Sequence, residues 1–193
     1  MSGASEALAR LHAEDVREHA AGRTAGTPEY RAMRARDAER RGTGERLLAE
    51  LRASGQATAA DLFHAAWLLN HGDAPDEARR AHELAREAAA LGGVAKARWL
   101  AAAAYDRWCM YDGRPQRYGT QLVPDGVGIR VWDVETPDVG DAERARWDVP
   151  PLAAQRRRAA ELSRTEPQPP MDGAPAWLRA AVARWRAGGS RSS

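Results

Sequence analysis

The spacing of glycine and proline constrains this chain most. Breaks fall at "GRTAGTP" (22–28), "ASGQAT" (53–58), "HGDAP" (71–75) and "GGV" (92–94), and between them lie stretches long enough for three to seven helical turns. Residues 4–21 read as a polar helix with a thin apolar stripe at Leu8, Leu11 and Val16. Pro28 suits the first turn of a second helix, whose face runs Tyr30, Met33, Asp37, Arg40, Gly44, Leu47 and Leu51 at spacings of three and four. "RGTG" at 41–44 is a candidate break within it. Thr58 is an N-cap candidate for a third helix that Gly72 stops at a position suited to glycine. A fourth helix starts near Asp73 and Pro75, and a fifth ends at Gly113.

That rhythm stops at residues 112–126, "DGRPQRYGTQLVPDG". Residues 120–123 and 128–134 then flank a Pro-Asp-Gly turn, and Val127, Ile129 and Val131 alternate with Gly128, Arg130 and Trp132, the period of a strand. Two short helices follow, one before Trp147 and one over 151–163, then a proline-rich linker over 164–175 and an amphipathic helix from 176. Trp177, Ala181 and Trp185 form one face of that helix, and the last residues, "GGSRSS", are expected to be disordered. The expected organisation is an N-terminal helix and linker (1–27), a helical core (28–163) containing the loop and hairpin (112–134), the linker, and the C-terminal helix with its tail (176–193). Small alanines at helix crossings across residues 60–107 resemble Sel1-like and tetratricopeptide repeats. The expected fold is therefore mainly α, a Sel1/TPR-like antiparallel bundle with one small β-hairpin.

Composition narrows the function. The 193 residues are 44% hydrophobic and 29% charged, with a net charge of +2. Lys96 is the only lysine, and the small surplus of arginine gives no basic stripe with interleaved aromatics, which argues against nucleic acid. One cysteine, Cys109, excludes an intramolecular disulfide and a CxxC site, and it reads as a small core hydrophobe. No HExxH, P-loop or GxGxxG occurs, so neither a metal nor a redox cofactor is expected. No run reaches the ~18 apolar residues of a membrane span, and the N-terminus lacks the apolar core of a signal peptide. A cytoplasmic protein without membrane contact is expected. The last helix is expected to dock on its own domain, or on a second subunit or partner enzyme.

Several side chains interrupt the apolar pattern. His71 ends the third helix, where it either caps the last carbonyls or moves protons. His64 and His82 read as structural. Asp106 and Arg107 follow a run of small apolar residues, so the acid is expected to be half-buried and paired, either as a structural ion pair or as part of a site. Asp37 and Arg40 replace two core positions of the second helix, as a buried ion pair or a pocket wall. In the loop, Gln116, Tyr118, Thr120 and Gln121 supply donors and acceptors that either read a ligand or brace the backbone.

"LLNHGD", "AYDRWCMYDGRPQRYGTQ" and "ERARWDVPPL" resemble the pattern of an uncharacterised bacterial domain-of-unknown-function family, in which a Gln-His-Gly or Gln-His-Ala helix end is followed by Asp-Arg and by Gly-x-x-Gln-x-Tyr/Phe-Gly-Thr-Gln. The resemblance runs over about residues 60–162. Asn70 stands where the family often has Gln, and Cys109 where an aliphatic residue is usual. It implies that His71, Asp106, Arg107, Gln116, Tyr118, Thr120 and Gln121 belong to one site, and it carries no activity. The leading expectation is a metal- and redox-cofactor-independent enzyme acting on a small polar or anionic metabolite by acid–base chemistry: hydrolysis, isomerisation or ring closure, in a bacterial specialised pathway. His71, Asp106 and Arg107 would be catalytic, and Asp37, Arg40, Gln116, Tyr118, Thr120 and Gln121 would bind substrate. The alternative is a helical-repeat peptide-binding module or an accessory subunit of a separate enzyme.

Overall fold

The computed structural model describes residues 2–22, 26–134, 139–166, 168 and 170–188. Most of the tail expected to be disordered lies outside them. The order is α1 (Gly3–Ala20), α2 (Pro28–Ala53), α3 (Ala59–Asn70), α4 (Pro75–Leu91), α5 (Ala97–Tyr111), β1 (Leu122–Pro124), β2 (Ile129–Val131), α6 (Asp141–Arg146), α7 (Leu152–Thr165) and α8 (Ala176–Gly188). Among the described residues the protein is mainly helical with one antiparallel hairpin, in which Leu122 faces Val131 and Pro124 faces Ile129. No helix among the described residues is long and apolar enough to cross a membrane.

Local chemistry explains the ends. Thr58 and Asp61 form a reciprocal capping box that opens α3. At α4 the cap is Ala74, not Asp73; the Glu77 carboxylate reaches back to the backbone N–H groups of Asp73 and Ala74, at 2.9 and 3.1 Å. Gly72 is needed for space rather than for a left-handed backbone, because a Cβ there would lie 2.3 Å from the Glu77 carboxylate. The hairpin turn is closed by Asp125, whose Oδ1 accepts from the N–H groups of Val127 and Gly128.

The main core joins α1 through α5, with Leu8, Leu51, Leu62, Leu68, Leu84 and Leu100 nearly free of solvent. Two expectations are corrected here. The N-terminal helix is not an extension: Leu8 is 0% exposed, and α1 packs on both α2 and α3. Its buried face runs Ser5, Leu8 and Asp15, while Val16 is 38% exposed. "RGTG" does not break α2, which runs unbroken for 26 residues. Gly44 lies on the buried face, where a Cβ would come 2.8 Å from Leu68 Cδ1 and 3.4 Å from Leu8 Cδ1. The missing side chain lets three helices meet there.

A smaller core lies under the C-terminal helix. Leu178, Ala181 and Val182 of α8 pack with Met110, Val123 and Trp132. Trp185 Nε1 donates to both oxygens of Asp133, at 2.8 and 3.0 Å, and the Arg130 guanidinium sits 3.9 Å from the Trp185 ring centroid. The apolar face of α8 is covered by its own domain. Of the expected alternatives, docking on its own domain is the one this packing shows. Within the segment expected to be a linker (164–175), Met171 and Ala174 pack against the same core.

The two glycines of the α2 sequence "RGTG" separate experimentally. Gly42 has open space where a Cβ would go, so Gly42→Ala should raise stability by about 0.5–1 kcal/mol through helix propensity. Gly44→Val should lower it by ~1–3 kcal/mol by forcing α1 and α3 apart. Chemical denaturation of the two variants checks both signs.

Candidate functional site

Antiparallel packing of α1 on α2 sets Glu18 and His19 against Arg36 and Asp37, and Asp15 against Arg40. Parallel packing of α1 on α3 sets His12 against His64, Asp15 against Trp67, and His19 against His71. Each of these six residues recurs at i, i+3 and i+7, the spacing of one helix face. The seam is a polar ladder with Asp15 at its centre.

Asp15 is 1% exposed. Trp67 Nε1 donates to its Oδ2 at 3.0 Å, and His71 Nδ1 lies 2.8 Å from the same oxygen. The angle of that second contact is off a good hydrogen bond, and Nδ1 has no other. Arg40 Nε stands 3.5 Å from Oδ1, and His19 Nε2 3.8 Å. Asp37, also 1% exposed, takes Arg34 Nη1 at 2.7 Å and a short bond from Arg40, and lies 3.3 Å from His19 Nε2. Burial alone would raise the Asp37 carboxyl, but His19 and the arginines hold it well below the usual carboxylate range. Arg34 also donates to the His71 carbonyl and to Asp73, both at 2.6 Å.

The His19 and His71 rings stack at 3.9 Å with 28° between their planes. Together with Tyr30, Met33, Arg34 and Arg107 they line a cleft of about 380 Å³. Burial lowers the His71 imidazole below its ordinary value, against the pull of Asp15, and Arg107 lowers it further. Arg107 is half-buried, and it makes no hydrogen bond or ion pair to the described residues; its Nε is sealed from solvent without a partner. It is an arginine on a cleft wall with its guanidinium unmatched.

The nine expected site residues fall into two groups. His71 and Arg107 share the cleft, and Asp37 and Arg40 stand behind it. Asp106 does not join them. Neighbours on a helix point about 100° apart, so Asp106 and Arg107 leave α5 on different sides. Asp106 is 0% exposed. Its oxygens accept from the backbone N–H groups of Arg117, Tyr118 and Thr120 and from the Thr120 hydroxyl, all at 2.8–3.0 Å. Burial pushes this carboxyl up from its ordinary value, and the four donors act against that.

The glutamines extend the closed network. Gln116, 0% exposed, accepts from Gln121 N and donates to the carbonyls of Gln121 and Trp132. Gln121 donates to the Ala103 carbonyl at 3.0 Å. Tyr118 is 7% exposed and packs with Ala102, Val139 and Val149. Arg144, within "ERARWDVPPL", donates to the Tyr118 carbonyl at 3.0 Å. The geometry of this group is that of a brace: the Asp106, Gln116 and Gln121 side chains meet backbone groups, the Thr120 hydroxyl meets Asp106, and none of the four loop residues lines the His71 cleft.

Asp15, His19 and Arg34 were missed in the sequence. The signal was the repeat of His12-x-x-Asp15-x-x-x-His19 against His64-x-x-Trp67-x-x-x-His71, which becomes visible only once α1 and α3 are paired. Asp15, His19 and His71 also offer one ligand atom each within 4.8 Å of one another. One feature works against a divalent ion there: the Arg40 guanidinium already stands at Asp15 Oδ1.

No protein-family model matches the chain, and neither a curated protein nor a solved structure matches it.

Two outcomes follow from this geometry. Asp106→Asn should cost about 3 kcal/mol or more, because an amide N–H would meet backbone N–H donors. Arg107→Gln should leave stability within about 0.5 kcal/mol, because no hydrogen bond or ion pair to the described residues is lost. Paired denaturation curves separate the brace from the cleft. The ladder also has a pH signature. Burial, then His64, hold the His12 ring down from 6.5 to about 4, and burial lowers His64 and His71 as well. The unfolded chain therefore binds more protons between these values, so stability present above pH 6.5 is lost as pH falls toward 4. The melting temperature should drop between pH 6.5 and 5, and His12→Asn should flatten that drop; an unchanged melting temperature across the window contradicts the assignment.

Proposed function

We propose that the cleft between α1, α2, α3 and α5 is the active site of an enzyme that performs acid–base chemistry on a small anionic metabolite. The observation that carries this reading is the pairing, in one cleft, of an unmatched guanidinium at Arg107 with a carboxylate-backed imidazole at His71. A half-buried arginine without a partner is costly to the fold, and a bound anion would complete it. Arginine matches the planar geometry of a carboxylate or the oxygens of a phosphate.

His71 is suited to the proton-transfer role. Burial favours its neutral form. Asp15 faces Nδ1 and so favours the proton on that nitrogen, leaving the Nε2 lone pair as the acceptor. Small rotations on ligand binding would bring the Nδ1–Asp15 contact into line. His19, stacked on His71 and backed by Asp37, supplies a second imidazole at the same wall. Trp67 and Arg40 act as positioning residues, since they face the Asp15 carboxylate and do not line the cleft, while Arg34, on the cleft wall, is paired with Asp37 and Asp73. Neither metal nor redox cofactor enters this chemistry: the positive charge that an anion needs is already supplied by arginine. The resemblance in "LLNHGD" and "AYDRWC" fits the same assignment for His71 and Arg107, while Asp106 holds the loop.

The test is a turnover screen of the full chain, dialysed against EDTA, with small anionic esters, lactones and isomerisable acids. Any activity should survive EDTA. His71→Gln should lower kcat by about 10²–10⁴-fold, and Arg107→Gln should raise KM while it keeps the wild-type melting temperature. Activity that vanishes with EDTA and returns with zinc would overturn this reading and assign Asp15, His19 and His71 to a metal. Activity untouched by His71→Gln would overturn it as well.

A further inference from the structure

We infer that the substrate of this cleft is amphipathic: one anionic group joined to an apolar body. The inference rests on the proposed reading of the cleft and adds the part of the molecule that the cleft alone does not hold. A second cavity, of about 490 Å³, adjoins the first. Tyr30 and Arg34 line both. Beyond them the character of the wall changes. The far side is built from Pro124 of β1, from Met171 and Ala174 on the segment before α8, and from Leu178 of α8. Its charged wall residues are Arg34 and Asp73, and these two are paired with each other at 2.6 Å. The trough therefore offers no unmatched charge, whereas the adjoining cleft offers Arg107.

Each cavity falls within the ~300–1,000 Å³ of small-molecule sites, and they meet at an aromatic ring and a neutralised guanidinium. A ligand that filled both would place its anion at Arg107, next to His71, pass over Tyr30, and lay its apolar part against Met171 and Leu178. This also gives the C-terminal segment a function. Folded onto the hairpin, with Trp177 on Trp132 and Tyr111, it forms the apolar wall. A substrate carrying only a small anionic group would leave that wall unused.

The test is calorimetric titration of the full chain with acetate, hexanoate, octanoate and decanoate, and with octan-1-ol. Affinity should rise by about threefold to fourfold for each added methylene. Met171→Asp should flatten this dependence while leaving acetate binding unchanged, and the milder Met171→Ala should reduce the slope if the charged variant does not fold. Arg107→Gln should weaken all four acids by about tenfold and leave octan-1-ol alone. Acids that bind equally whatever their length, or a length dependence that ignores both Met171 variants, overturn the amphipathic substrate while the anion cleft stands. Octanoate that binds no better than octan-1-ol and ignores Arg107→Gln overturns the cleft reading itself.

Discussion

A buried carboxylate without charged or hydrogen-bonding company is expensive, and this protein buries several. Asp15 and Asp37 are each 1% exposed, on different helices, and neither is satisfied by its own helix alone. Asp15 needs Trp67 and His71 from α3 and Arg40 from α2. Asp37 needs His19 from α1 in addition to Arg34 and Arg40 on its own helix. The arrangement of the first three helices follows from this mutual dependence as much as from the leucines beside it. Its consequence is chemical. Satisfying Asp15 brings His19 and His71 face to face at the surface of the bundle, where α5 adds Arg107.

Much of the scaffold was legible from the chain. The glycine and proline breaks separate the helices where the spacing predicts. Thr58 opens α3, and Asp125 closes the hairpin, but the expected alternation is not seen: Val127 is 84% exposed while Trp132, of the opposite set, is 1% exposed. The stripe of α2 was legible down to its two charged members, because Asp37 and Arg40 occupy positions on an otherwise apolar face. What resisted reading was α1. Its buried face carries Ser5 and Asp15 rather than leucine, so hydrophobic periodicity pointed at Val16 instead. Polar residues that find their partners across helices leave no signal in a one-dimensional pattern.

The candidate site was legible by half for a related reason. Asp106 and Arg107 are adjacent in sequence, and adjacency on a helix means divergence in space. One serves the Tyr118–Gln121 loop from inside, and the other faces the cleft. The loop's glutamines and threonine have the composition of a ligand-reading wall, but a loop this long laid against a helix has its own carbonyls and N–H groups to satisfy. Gln116, Gln121 and Asp106 meet that need. The opposite case is α8. Its amphipathic pattern predicted docking without saying onto what, and the Trp185–Asp133 and Arg130 contacts direct it to the hairpin of its own chain.

The central claim is that burial keeps the His71 imidazole neutral while Asp15 holds its proton on Nδ1, leaving Nε2 available to the cleft. Long-range ¹H–¹⁵N NMR of the histidine rings, followed over pH, tests it most directly. The account predicts that His71 carries its proton on Nδ1 at neutral pH, titrates below the ordinary histidine value, and loses that tautomer preference in Asp15→Asn. A His71 ring that titrates as a free imidazole, with a tautomer indifferent to Asp15, would contradict it.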